Sequence, residues 1–190
     1  YYSGHGVQVK AENYLIPVDA SIKDEDEVGF QAIDVNAFLQ TMDSSPSKVK
    51  IVVLDACRDN PFASQFRSAS RGLASVTAPS GTYIAYSTAP GSVAEDGEGK
   101  NSPYTTALAE YILQPGLKIE EAFKQTRIQV MKASSQKQVP WETTSLTGDF
   151  YFVPEPAPAD IAPDHSSKSA PGQPADVING SLSPKKQIYD

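Results

Sequence analysis

Along the first 153 positions, apolar residues fall into short runs separated by turn-forming residues, with strand-like and helix-like spacings in alternation. Ile51-Val52-Val53-Leu54 is continuous and rich in β-branched side chains, the pattern of a parallel strand buried on both faces. Thr82-Tyr83-Ile84-Ala85-Tyr86 predicts a second strand of this kind, and Phe150-Tyr151-Phe152-Val153 a third. Tyr1-Tyr2 reads as the end of a fourth, cut short where the chain begins. Helical spacing lies between them. Asp34 is placed to cap a helix running through Phe38, Leu39 and Met42. Ser102-Pro103 joins an N-cap residue to proline at the first helical position, opening a helix with Tyr104, Leu108 and Tyr111 along one face. Ile119, Ala122, Phe123, Thr126 and Val130 mark a third, amphipathic helix. Strands separated by helices predict an α/β layer around a mainly parallel sheet.

After residue 153 the pattern stops. Residues 154–190 hold seven of the fifteen prolines and no aromatic except Tyr189. Such a stretch cannot bury enough surface to offset its ordering entropy. The expectation is a domain over 1–153 and a disordered, Pro/Ala/Ser-rich linker or tail over 154–190, opening in extended polyproline II geometry. His165 falls in that tail and is read as incidental.

Composition narrows the function. The formal net charge of -7 argues against the basic footprint that nucleic-acid binding requires. The run Lys23-Asp24-Glu25-Asp26-Glu27 predicts a solvated loop. No apolar run approaches the ~18 residues of a membrane helix, so a soluble chain without a membrane span is expected. No secretory signal is visible; the chain opens Tyr1-Tyr2 without an initiator Met and reads as a fragment of a longer protein, which leaves the compartment open. A single cysteine excludes an intramolecular disulfide and a Cys-rich metal site. That thiol is either packing or chemistry.

Two segments carry polar residues where a strand is expected to end, the edge at which open α/β sheets bind ligands. One is Tyr2-Ser3-Gly4-His5-Gly6, the other Leu54-Asp55-Ala56-Cys57-Arg58-Asp59-Asn60-Pro61. If their strands are parallel neighbours, His5 and Cys57 emerge at one edge. An imidazole there can accept the thiol proton and later give one to a departing amine. The Gly6 and Cys57 N–H groups are candidates for holding an oxyanion. Singly, each residue has a plainer reading. A lone cysteine after a buried strand is most often packed core, and a histidine between glycines can simply serve a turn. Asp59-Asn60-Pro61 reads as the turn that ends the second segment.

Taken together, the blocks resemble the caspase/metacaspase family of cysteine peptidases, in a bacterial caspase-like form. Tyr2-Ser3-Gly4-His5-Gly6 is similar to its histidine motif and Leu54-Asp55-Ala56-Cys57-Arg58 to its nucleophile motif, 52 residues further on. Ala85-Tyr86-Ser87-Thr88-Ala89-Pro90-Gly91 resembles the opening strand of the small subunit. Gln138-Val139-Pro140-Trp141 and Leu146 to Phe152 resemble its closing strand. The resemblance covers about residues 1–153. It implies a six-stranded, mostly parallel sheet flanked by helices, with the first two strands missing from this chain. It also implies a cysteine endopeptidase acting on polypeptides, with His5 and Cys57 as the dyad. A caspase-fold interaction module and a different cysteine amidohydrolase on the same fold are the alternatives.

The departures bear on specificity. Animal caspases read an acidic substrate residue with a glutamine two positions before the cysteine and with arginines; here Asp55 stands at the first position, and Asp96 falls at one arginine position. Carboxylates recognise Arg and Lys, so the resemblance implies cleavage after a basic residue, as in metacaspases, with Asp55, Ser3 and Asp96 binding the substrate. The plainer reading of Asp55 is a turn carboxylate bonded to local backbone. Family members are often cut between the nucleophile and the next strand, which makes Arg67 and Arg71, within the Ser- and Ala-rich stretch 63–80, candidates for self-processing. Some metacaspases need calcium. Asp19, Asp34 and the 24–27 run offer oxygen ligands here, but in no EF-hand spacing, and no cofactor or metal site is expected.

Overall fold

Alternating burial shapes the chain into strands that pack on both faces. A computed structural model describes residues 1–57, 73–90, 92, 94, 97 and 99–156, Cys57 by its backbone. Within these residues the chain forms β1 (Tyr2–Val9), β2 (Glu12–Leu15), the short α1 (Val28–Gln31), β3 (Ile33–Asp34), α2 (Val35–Asp43), β4 (Lys50–Cys57), β5 (Thr82–Tyr86), α3 (Pro103–Tyr111), α4 (Ile119–Ala133) and β6 (Trp141–Thr144). Six strands make one sheet in the order β3-β2-β1-β4-β5-β6. Its centre, β1, β4 and β5, is parallel; β2, β3 and β6 join antiparallel at the flanks. The residues from Tyr1 to Pro156 form one compact unit, and the expected tail lies outside the described residues from 157 onward.

The continuous apolar run in β4 is explained by its two burial partners. Val52, Leu54 and Ala56 turn to one face with Val35, Leu39 and Leu73. Val53 turns to the other, with Tyr83, Tyr104, Leu108, Ile119 and Phe123 of β5, α3 and α4. Each fully buried Leu or Phe contributes about 1.5–3 kcal/mol. The helices start where the sequence signals them. Asp34 Oδ1 accepts the Asn36 and Ala37 N–H groups at 2.8 and 3.3 Å, and Ser102 Oγ accepts Thr105 N–H at 2.9 Å. Arg127 of α4 donates through Nε to Pro140 O at 2.9 Å and pairs with Glu142, fastening α4 to β6.

Two sequence expectations change, and one element was not foreseen. Tyr2 begins β1 rather than ending a strand, so the Ser3–Gly6 motif lies inside a strand that continues to Val9. The β1–β2 hairpin was not visible because Lys10 and Ala11 take its positive-φ turn, at 51° and 70°, without the Asn or Gly that usually announces one. Phe150–Val153 is no strand. Tyr151 makes only an isolated bridge to Lys118, while Phe150 and Phe152 pack as aromatic filling beside Phe123, and Trp141–Thr144 takes the edge of β5. Within the acidic run, Glu25–Glu27 winds into one 3₁₀ turn whose N-cap is Asp24.

Asn13 of β2 ties the segment before β5 to the sheet. Its side-chain amide is buried; Nδ2 donates to Ala74 O and Oδ1 accepts Ala74 N–H, both at 2.8 Å. The neighbouring Leu73 is thereby held in the core at 1% exposure. Asn13→Ala strips both partners from the Ala74 backbone. It is expected to cost about 2–4 kcal/mol, read as a lower urea midpoint at unchanged slope.

Candidate functional site

The β1–β4 ladder runs Tyr2↔Leu54, Ser3↔Asp55, Gly4↔Ala56 and His5↔Cys57. Parallel neighbours lie about 4.8 Å apart, so the ladder brings His5 and Cys57 together at its last rung. Both sit within strands, which removes the reading of His5 as a turn residue. Alternation puts Ser3, His5 and Asp55 on the α3–α4 face, and Gly4, Gly6 and Ala56 on the α2 face.

The His5 backbone is held from two sides. Its carbonyl accepts Ile16 N–H at 2.9 Å, and the Tyr2 hydroxyl lies 2.7 Å from the same oxygen. That hydroxyl also lies 2.9 Å from Ile16 O, so its single proton serves one carbonyl at a time. The glycines flanking His5 sit where a side chain would press on its neighbours. A Cβ at Gly4 would stand 2.7 Å from Tyr2 Oη, and one at Gly6 3.0 Å from Leu73 Cδ2 and 3.2 Å from Ala56 Cβ.

Asp55 is 1% exposed. Its Oδ2 accepts the hydroxyls of Ser102 and Thr105, each at 2.5 Å, and Tyr1 Oη at 3.3 Å. Oδ1 is buried and has no partner among the described residues. These donors lie 47 to 54 residues away in sequence, not in a local turn, so the plainer reading of Asp55 gives way. Nearby phenols respond to this setting. Burial, with the Asp55 charge second, pushes Tyr104 well above its ordinary pKa. Burial raises Tyr1 also, opposed by its bond to Thr105 and reinforced by Asp55.

The end of β5 approaches the same edge. Ser87 N–H donates to Leu54 O at 3.0 Å, and the buried Gln138 amide donates to Ser87 O at 2.8 Å. Ser3 is exposed and is the rung partner of Asp55. Asp96, Arg67 and Arg71 lie outside the described residues. Sequence reasoning saw Ser102 only as a helix cap and missed Thr105, Asn13 and Gln138; none carries a local signal for a partner so distant in the chain. Among the described residues no group of three or more His, Cys, Asp or Glu side chains converges on a metal position. Asp34, one of the carboxylates considered for calcium, is engaged in capping α2.

A family model described as the caspase domain matches residues 1–151. No curated protein matches the chain.

Gly4→Ala is expected to displace the Tyr2 phenol and cost about 1–2 kcal/mol of stability. In a Tyr2→Phe background the penalty should shrink, since the closest clash is with the hydroxyl. A double-mutant cycle by chemical unfolding measures this; equal penalties in both backgrounds would contradict it.

Proposed function

Because the chain belongs to the caspase-domain family, a family of cysteine peptidases, we propose that it hydrolyses peptide bonds through Cys57 and His5 and cuts after Arg or Lys. The observation that carries the dyad is the rung His5↔Cys57 at the end of the parallel ladder. In the proposed reaction the Cys57 thiolate attacks the substrate carbonyl carbon, forming a C–S bond. The Gly6 and Cys57 N–H groups hold the oxyanion. As the C–N bond breaks, the His5 imidazolium gives its proton to the leaving amine. Water then attacks the thioester, His5 takes its proton, and the acid product and free thiol are released.

The basic preference is supported by Asp55, a buried carboxylate with one oxygen lacking a donor. Leaving such an atom unsatisfied costs about 1–3 kcal/mol or more, and a substrate cation would remove that cost. Ser3, the rung partner of Asp55, would line the same pocket, and Asp96 would add a second carboxylate.

Fluorogenic peptides ending in Arg, Lys or Asp test the proposal. Arg and Lys peptides should be cleaved and Asp peptides not, and an arginyl chloromethylketone should label Cys57. Cys57→Ala should abolish turnover and His5→Ala should lower it at least about 10³-fold. Labelling or cleavage that survives Cys57→Ala, or a preference for Asp, would overturn the proposal. A basic-specific enzyme is also expected to nick itself after Arg67 or Arg71. Electrophoresis of the full chain should show two fragments with wild type and one band with Cys57→Ala.

A further inference from the structure

One feature of Asp55 is not required by a basic preference alone: its two oxygens are treated unequally. The Ser102 and Thr105 hydroxyls donate to Oδ2, and the Tyr1 hydroxyl, 3.3 Å from Oδ2, is also bonded to Thr105 Oγ1, while among the described residues Oδ1 receives no donor. The strongest of these contacts belong to the first turn of α3. Thr105 N–H donates to Ser102 Oγ at 2.9 Å, and Ser102 Oγ donates onward to Oδ2 at 2.5 Å. Thr105 Oγ1 donates to Oδ2 directly, also at 2.5 Å. Successive donation of this kind polarises each bond in the chain. The nine-residue α3 also presents the positive end of its backbone dipole toward the carboxylate. Asp55 is therefore fixed in rotation by its Oδ2 side, and its orphaned oxygen cannot turn away to find a donor.

We propose that Ser102 and Thr105 are positioning residues that lock Asp55 by Oδ2 and aim Oδ1 as a single-point acceptor, so the pocket takes Lys and Arg nearly alike. This rests on Asp55 being the residue that reads the substrate cation. A bidentate guanidinium–carboxylate fork needs both oxygens. With Oδ2 already committed, the fork is closed to arginine, and either cation makes one contact with Oδ1. The discrimination that arginine usually gains from its planar geometry is lost.

The test compares kcat and KM for peptides identical except for Arg, Lys or citrulline before the cut, citrulline being the neutral counterpart of Arg. The full chain is used as wild type, Thr105→Val, Thr105→Ser and Asp55→Asn. Wild type should use Arg and Lys within about fivefold of each other, with citrulline at least about tenfold poorer. Thr105→Val should raise KM for Arg and Lys about tenfold more than for citrulline, with the loss in KM rather than kcat. Thr105→Ser keeps the hydroxyl and should restore wild-type selectivity, which separates positioning from a general effect on folding. Equal changes for all three peptides in Thr105→Val, or a wild-type preference for Arg over Lys above about a hundredfold, would overturn the proposal. If Asp55→Asn removes the cation preference while Thr105→Val leaves it intact, only the positioning role fails. If Asp55→Asn itself retains the preference, the reading of Asp55 fails and the proposal with it.

Discussion

The register between β1 and β4 is the constraint on which the rest of the site depends. Side chains on a strand alternate between faces, so a slip of one residue would exchange the two faces of β1. The observed register keeps Tyr2 against the Leu54 and Ala56 side of the core and Ser3 beside Asp55. It also leaves room for the Tyr2 phenol over Gly4 and for the Leu73 side chain against Gly6, positions where a Cβ would collide. The Gly-His-Gly spacing thus also suits the packing of Tyr2, Leu73 and Ala56 around β1. With those contacts satisfied, the ladder has one place to end, and that rung pairs His5 with Cys57.

Burying Asp55 in the middle of this arrangement is costly, since an ion taken from water loses several kcal/mol of solvation even after relaxation. The chain offsets part of this with hydroxyls rather than with a cation. No Lys or Arg partner reaches Asp55 among the described residues; Ser102, Thr105 and Tyr1 do. Hydrogen bonds to a charged acceptor contribute about 1.5–3 kcal/mol each, so two short ones recover much of the loss without neutralising the charge. A buried ion pair would have been spent on itself. Hydroxyl support satisfies Oδ2 of the carboxylate without a cationic partner among the described residues. The same contacts dock the first turn of α3 onto β4, so the helix position and the electrostatics of the site are set together.

Much of this was legible in the amino-acid sequence. The β-branched run of β4, the strand at β5 and the periods of α2, α3 and α4 follow from burial alone, and the structure has them at the expected places. The two motifs bearing His5 and Cys57 were each recognisable, and an α/β order of elements allowed them to meet. What was not legible depends on distance. Lys10 and Ala11 hold a hairpin turn through positive φ without the Asn or Gly that favours it, between strands whose Val7 and Val9 are buried. The aromatic run Phe150–Val153 has strand composition, but its rings are drawn to Phe123 and the strand position goes to Trp141–Thr144. Asp55 could be singled out two residues before the cysteine; its partners Ser102 and Thr105 could not, because nothing local distinguishes a helix cap that also holds a carboxylate.

A further regularity concerns what happens where strands stop. A backbone group that leaves the ladder while still buried must find another partner. Around this edge the partners are side chains. Asn13 supplies both a donor and an acceptor to Ala74, Gln138 donates to Ser87 O, and the Tyr2 hydroxyl reaches the His5 and Ile16 carbonyls. Ile16 and Ser87 each lie one residue beyond a strand, while His5 lies within β1 and Ala74 in the segment before β5, so side chains bond the backbone both at strand ends and away from them. Side-chain bonding satisfies these backbone groups without adding strand pairs beside the rung His5↔Cys57.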